Sequence, residues 1–299
     1  MKKRVRRAAG LTLIALVAVW AVLAAGPREG DSAGAVGARG TPEATDPGPL
    51  GSAAPASAAT AHAPAPKPPP EEDPPMSPAA QPPALPSCAV ADEPAPRAAL
   101  DEWRYTVLDT RFMLPADYAP PDLVDLATAL DGVAPYVAPK GARLRAVLVT
   151  DLVLLVRAAE AAGAPLEIQS AYRSYEYQRT VFDGWVARDG YDAALRSSAR
   201  AGHSEHQLGT VFDVKSRGGP PPWDLDDWAS TPEGAWMAAN AWHFGFVMSY
   251  PPGKENVTCY VYEPWHYRYL GRELAAAVHA SGLAPREYLW NLLVAADDD

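Results

Sequence analysis

His206 and Asp213, linked by Gln207-Leu208-Gly209-Thr210-Val211-Phe212, and the downstream run Glu263-Pro264-Trp265-His266 are the residues best suited to chemistry. Two imidazoles and one carboxylate make a three-ligand site for zinc and leave one coordination position for water. Open sites of this kind are catalytic, whereas structural zinc usually has four protein ligands. Glu263 stands three residues before His266 and is suited to take a proton from that water. The implied chemistry is metal-dependent hydrolysis, in which the ion brings the pKa of its water to about 7.

Spacing limits how these side chains can meet. On one continuous helix His206 and Asp213 would lie about two turns apart, too far to share an ion. A turn at Gly209 followed by a strand would bring them to one point, with Phe212 and Val214 beside the aspartate. The same residues taken alone also fit a loop histidine and a surface aspartate. Around Glu263, Pro264 restricts the backbone and Trp265 offers a dry wall. The plainer alternative there is an aromatic core cluster with a surface Glu–Arg pair. Arg173 supplies a cation that could hold a terminal carboxylate in its fork or stabilise an oxyanion; otherwise it is a turn arginine paired with Glu176. His203 is expected to face solvent or hydrogen-bond locally, and His243 to pack beside a sheet. The chain has no Gly-rich phosphate loop and no serine-nucleophile motif.

The elements that must position these groups follow from periodicity. Residues 143–162 are apolar on one face and predict a helix ended by Gly163. Residues 166–170 alternate like a short strand. A helix is expected over 175–189, with Tyr177, Val181, Phe182 and Trp185 on its apolar face. Strands are expected at 209–214, 245–250 and 260–262, and helices at 233–242, 271–281 and 285–295. Strands and helices mix without regular alternation, so the class expected is α+β.

The rest of the chain carries little chemistry. Of 299 residues, the first seven are strongly basic and Ala8 to Gly26 contains no charge, so residues 1–26 are expected to be a signal peptide or membrane anchor. That predicts a cytoplasmic N-terminus, export of everything after it, and a protein anchored to the membrane or released outside it. Residues 27–98 hold more than half of the 32 prolines and read as a disordered Pro/Ala-rich linker; 99–296 read as the folded domain. The net charge of −10 argues against nucleic acid as a partner. Two cysteines in an exported chain, Cys88 and Cys259, suggest a disulfide, the alternative being two unrelated thiols.

Three segments together resemble the VanY-type D-alanyl-D-alanine carboxypeptidases, a zinc peptidase group that also includes VanX dipeptidases and L,D-carboxypeptidases. They are Ser170-Ala171-Tyr172-Arg173-Ser174 with Gln178, Gly202-His203-Ser204-Glu205-His206-Gln207-Leu208-Gly209 through Asp213, and Tyr262-Glu263-Pro264-Trp265-His266-Tyr267-Arg268-Tyr269. The resemblance implies a small antiparallel sheet carrying the metal, flanked by helices. It implies that His206, Asp213 and His266 bind zinc, that Glu263 is base and acid, and that Arg173, Gln178 and Ser204 meet substrate. The expected substrate is a peptidoglycan peptide ending in D-Ala-D-Ala. The alternatives are an L,D-carboxypeptidase, a wall endopeptidase, or a wall-binding module without catalysis. Ala201 stands where many relatives have proline, and Val211 replaces a smaller residue; both bear on loop shape and not on the metal.

Overall fold

The computed structural model describes residues 84–130 and 139–297, so the leader expected at 1–26 and most of the linker expected at 27–98 lie outside them. Among the described residues no helix is long and apolar enough to cross a membrane. Residues 84–98, within the span assigned to the linker, form a strap against the domain. The strap carries β1 (Glu93–Pro94), which pairs in parallel with β2 (Phe112–Met113). β3 (Leu123–Asp125), followed by α1 (Leu126–Ala129), pairs antiparallel with β4 (Arg143–Arg145). Then come α2 (Val149–Ala161), β5 (Leu166–Ser170), α3 (Tyr175–Asp189), α4 (Tyr191–Ser197) and β6 (Val211–Ser216). The chain continues through α5 (Pro232–Asn240), β7 (Phe246–Met248), α6 (Glu255–Thr258), β8 (His266–Tyr269), α7 (Arg272–Ser281) and α8 (Pro285–Asp297).

Four of these strands form the central sheet in the order β5-β6-β8-β7, every neighbour antiparallel. Its two faces differ in chemistry. Phe212, Val214, Phe246 and Tyr267 are buried in the core, with Phe212 and Phe246 ring centroids 5.2 Å apart. α2 brings Leu152 and Leu155 to the same core, and α5 packs on β6. Each such side chain contributes about 1.5–3 kcal/mol by leaving water. Strand alternation sends Asp213, His266 and Arg268 away from that packing. The α+β class and the antiparallel sheet agree with the sequence reading.

Several expected boundaries differ. The helix expected from Arg143 starts only at Val149. Arg145 N–H donates to Gly209 O and Ala146 N–H to Asp122 O, so long-range pairing takes the backbone groups that a helix would have used. Residues 260–262 are not a strand. Cys259 takes a left-handed conformation (φ 71°) and Val261 N–H donates to Arg196 O; the strand begins after the loop, at His266. α3 has the expected limits, capped by Ser174, which accepts a hydrogen bond from Tyr177 N–H. Its Tyr177 is exposed at 58%, however, while Gln178 is buried. His243 is exposed and stacks on Trp242 instead of packing beside the sheet. His203 is buried, its ring in hydrogen-bond reach of Asp109 O and of Asp92 in the strap.

Candidate metal centre and cleft

The register of β6 against β8 sets Asp213 directly opposite His266. Directly paired residues point to the same face with Cβ atoms about 4.5–5.5 Å apart. His206 comes from the 3-10 turn Glu205–Leu208, which Gly209 ends in a left-handed conformation (φ 72°) before the chain enters β6. A Cβ on Gly209 would meet Leu123 Cδ2 at 2.9 Å and Arg145 Cγ at 3.0 Å, so both the turn and the β3–β4 pair behind it require glycine.

These elements bring one donor atom each from His206, Asp213 and His266 to within 4.8 Å of one another, all three residues buried. His206 Nε2 lies 3.2 Å from Asp213 Oδ2, and His266 Nδ1 lies 3.3 Å from Asp213 Oδ1. His206 Nδ1–H donates to Ala171 O at 2.7 Å, which leaves Nε2 as the lone-pair nitrogen facing the cluster. His266 is turned the other way, and although burial opposes charge on it, the Asp213 and Glu205 carboxylates prevail and raise its pKa to about 9. Nε2 lies 3.0 Å from Glu205 Oε2 and donates to it, so Nδ1 faces Asp213. Among the described residues, His206 Nε2 and Asp213 Oδ1 are buried without a hydrogen-bond partner. Unpaired buried polar atoms are costly, and here they converge on one point. The donor set therefore fits a divalent ion such as zinc.

The neighbouring charges divide into two groups. Burial opposes charge on Glu205, but the Arg268 guanidinium, the His266 hydrogen bond and the Ser249 hydroxyl outweigh it and lower its pKa to about 2. Its contacts are 2.8 Å from Arg268 Nη1 and 2.5 Å from Ser249 Oγ. Glu205 thus orients and charges the far side of His266, the outer partner that metal-binding histidines almost always have. Arg268 in turn donates to Trp103 O and Thr106 O. The roles of Glu205 and Arg268 were not read from the sequence, although both stand within the quoted motifs; a fully buried charge pair is visible only once β8 lies against the His206 turn.

Glu263 behaves differently. Burial raises its carboxyl pKa to about 7, with Asp213 adding to the rise while His266 and Arg173 oppose it. Its Oε2 lies 3.6 Å from His266 Nδ1, and its N–H donates to Tyr250 O. Burial lowers His206 to about 4, helped by Arg173 and opposed by Asp213, so its imidazole is neutral and able to ligate. Arg173 Nη2 stands 3.7 Å from Asp213 Oδ2, and its Nε is buried without a partner. It is not the turn arginine paired with Glu176, which binds Arg179 instead. Gln178 donates to Ala199 O and leaves Oε1 unpartnered, while Ser204 accepts from His206 N–H. Both line the same cleft as Arg173, Glu263 and the three metal-ligand candidates.

A buried His-Asp-His cluster beside an antiparallel sheet, open to a cleft and flanked by a carboxyl whose pKa is raised to about 7, has the donor set of the single-metal hydrolases. The family model for VanY, D-alanyl-D-alanine carboxypeptidase, matches residues 141–272. A solved D,D-pentapeptidase VanY variant from a VanB-type resistance cassette, in complex with Zn(II), is 30% identical with a TM-score of 0.52; the match covers 62% of this chain and 99% of that one. The LdcB LD-carboxypeptidase structure is 32% identical with a TM-score of 0.52, over 61% and 83% of the two chains. The putative carboxypeptidase YodJ of Bacillus subtilis (strain 168) is 34% identical over 185 residues, which is 61% of this chain and 65% of that protein. The chain belongs to the VanY-type D-alanyl-D-alanine carboxypeptidase family. It spans less than two thirds of the length of the curated relatives it matches.

Proposed function

We propose that this protein is a zinc carboxypeptidase that removes the C-terminal D-alanine from peptidoglycan peptides ending in D-Ala-D-Ala. The observation that carries this is the convergence of His206, Asp213 and His266 beside Glu263. His206 Nε2, Asp213 and His266 Nδ1 would hold zinc, which would supply Lewis acidity to the scissile carbonyl and acidity to water. Glu263 takes the proton of the attacking water on its carboxylate and delivers it to the departing amine. A pKa lifted to about 7 by burial suits a group that must both accept and release a proton near neutrality. Arg173, cationic and with a free Nε, holds the oxyanion or the terminal carboxylate, and Gln178 and Ser204 position the peptide. Glu205 keeps His266 oriented throughout.

On this reading residues 99–296, with the strap 84–98 packed on them, are the catalytic domain, and 1–26 with the Pro/Ala-rich segment before the strap deliver it to the wall as a leader or anchor and a tether. The protein then acts outside the cytoplasm on wall peptide, with no nucleic-acid partner. The test is to strip and restore zinc on the purified full chain and measure D-alanine release from a pentapeptide. Release that depends on zinc is the expected result. Absence of release from folded, zinc-loaded protein would sink the assignment. Parallel digestion of tetrapeptide and cross-linked dimer distinguishes D,D-carboxypeptidase action from L,D-carboxypeptidase or endopeptidase action.

A further inference from the structure

A second groove, of about 380 Å³, lies along β7, the outermost strand of the central sheet. It is lined by Val247 and Met248 of β7, by Val278 and His279 of α7, and by Trp242, which stacks on His279 with ring centroids 4.3 Å apart. Apart from Lys254 and His279 the lining is apolar or aromatic, and the exposed Ala238 and His279 mark its opening to water. The strand itself is paired on one side. Leu270 N–H donates to Gly245 O and Ser249 N–H to His266 O. Ladder alternation therefore turns the backbone groups of Gly245, Val247 and Ser249 toward β8. Those of Phe246 and Met248 turn toward the free edge, where among the described residues no strand meets them. Open strand edges are normally covered by a loop, a helix or another extended chain.

The strap is anchored beside this groove. Pro86 O accepts a hydrogen bond from Arg286 Nη2, and Arg286 Nη1 donates to Val257 O. Ala284 and Pro285, which precede Arg286, and Lys254, three residues before Val257, all line the groove. The described chain begins at residue 84, two residues before that anchor. The sequence leading into it is Pro78-Ala79-Ala80-Gln81-Pro82-Pro83, which carries no charge and, apart from Gln81, no side chain larger than proline.

We propose that residues 78–83 of this chain are the occupant of the groove, laid in extended form along the free edge of β7. Proline has no N–H for a ladder, so the pairing falls to Ala79, Ala80 and Gln81, three donors between prolines against a strand of three residues. The prolines dock on Trp242, Pro251 and Pro252, as proline-rich chains do in aromatic-lined grooves, where a preset backbone keeps the entropic cost small. From Pro86 back to Gln81 the chain can span about 17 Å, more than the roughly 10 Å length of β7. Covalent attachment holds the segment near the groove at an effective concentration on the order of millimolar, so a weak contact is enough. The docked segment lengthens the strap and shortens the tether before it. Neither the metal nor the proposed activity enters into this contact.

The test uses the full chain with Gln81 replaced by the photoreactive residue benzoylphenylalanine, and a control with the same probe at Ala53. After irradiation and digestion, mass spectrometry is expected to find the Gln81 probe joined to groove residues of the same chain, Met248 and Trp242 among them, and the Ala53 probe joined to no one site. Ala238→Arg, at the exposed rim, fills the groove and is expected to abolish the Gln81 cross-link while Tm and zinc stoichiometry stay at the wild-type values. A second readout does not depend on that variant folding. Hydrogen exchange at the Met248 N–H is expected to quicken in the Ala79→Asp, Ala80→Asp double variant, whose charges are costly to bury in an apolar groove. Groove cross-links together with that quickening support the docked segment. Cross-links between two chains, seen as a covalent dimer, would give the groove to a second copy and overturn the proposal. Gln81 cross-links spread like those of Ala53, or Met248 exchange unmoved by the aspartates, would overturn it as well.

Discussion

Glu263 and Glu205 show how two carboxyls about one histidine acquire different tasks. Burial dominates at Glu263 and lifts it to about 7, whereas Arg268 and His266 hold Glu205 at about 2. On the proposed mechanism Glu263 is the group that moves a proton, and Glu205 the group that keeps its charge. Glu263→Ala is expected to lower kcat by about 10²–10⁴ while zinc stoichiometry, read by atomic emission, stays at the wild-type value. Glu205→Gln should act on the metal instead. It is expected to weaken zinc binding by about 10–100-fold in a chelator competition. It also leaves the Arg268 cation buried without its partner, which costs about 3–5 kcal/mol in denaturant unfolding. The two substitutions thus differ in which measurement moves. Sequence reasoning reached Glu263, which lies three residues from a candidate ligand, but not the task of Glu205, whose partners Ser249 and His266 lie 44 and 61 residues away.

Elements fix the geometry that the residues need. β6 and β8 place Asp213 opposite His266, and a one-residue slip would send one of the pair into the apolar core. Phe212 and Tyr267, paired in the same ladder, oppose that slip because both are buried on the other face. Gly209 governs the remaining ligand. Gly209→Ala places a Cβ in a left-handed turn, at about 1–2 kcal/mol, and drives it against Leu123 and Arg145. The expected outcome is a lower Tm together with weaker zinc binding, since His206 must shift relative to Asp213. An unchanged zinc Kd would show that the turn does not set the ligand. A Gly inside a candidate turn is legible in sequence, as are β5 and α3, because their signals are local. Residues 143–148 and 260–262 were misread because their backbone groups bond to Gly209, Asp122 and Arg196, and periodicity carries no trace of such pairing.

At the scale of the molecule, the strap ties both halves of the centre to the rest of the domain. Arg200 donates to Asp92 and Ala91 O, and the His203 ring reaches the same Asp92, a few residues before His206. A disulfide joins Cys88 to Cys259 across 171 residues, a few residues before Glu263. Arg286 of α8 brackets that bridge by donating to Pro86 O and Val257 O, while its Nε binds the fully buried Asp109. A bridge across so long a loop restricts the unfolded chain and contributes about 2–5 kcal/mol. For a domain of this size that corresponds to a Tm change on the order of 10 °C. The Cys88→Ser, Cys259→Ser double variant is expected to show that fall in calorimetry. The bridge also anchors the segment that carries Tyr260, whose ring packs 5.2 Å from Tyr250, and Tyr250 in turn accepts the Glu263 N–H on its carbonyl and packs 4.7 Å from His266. Loss of the bridge should therefore lower kcat at temperatures well below the new Tm, with zinc still bound. A variant that loses stability but keeps wild-type kcat at 20 °C would confine the bridge to holding the strap and remove it from any part in placing Glu263.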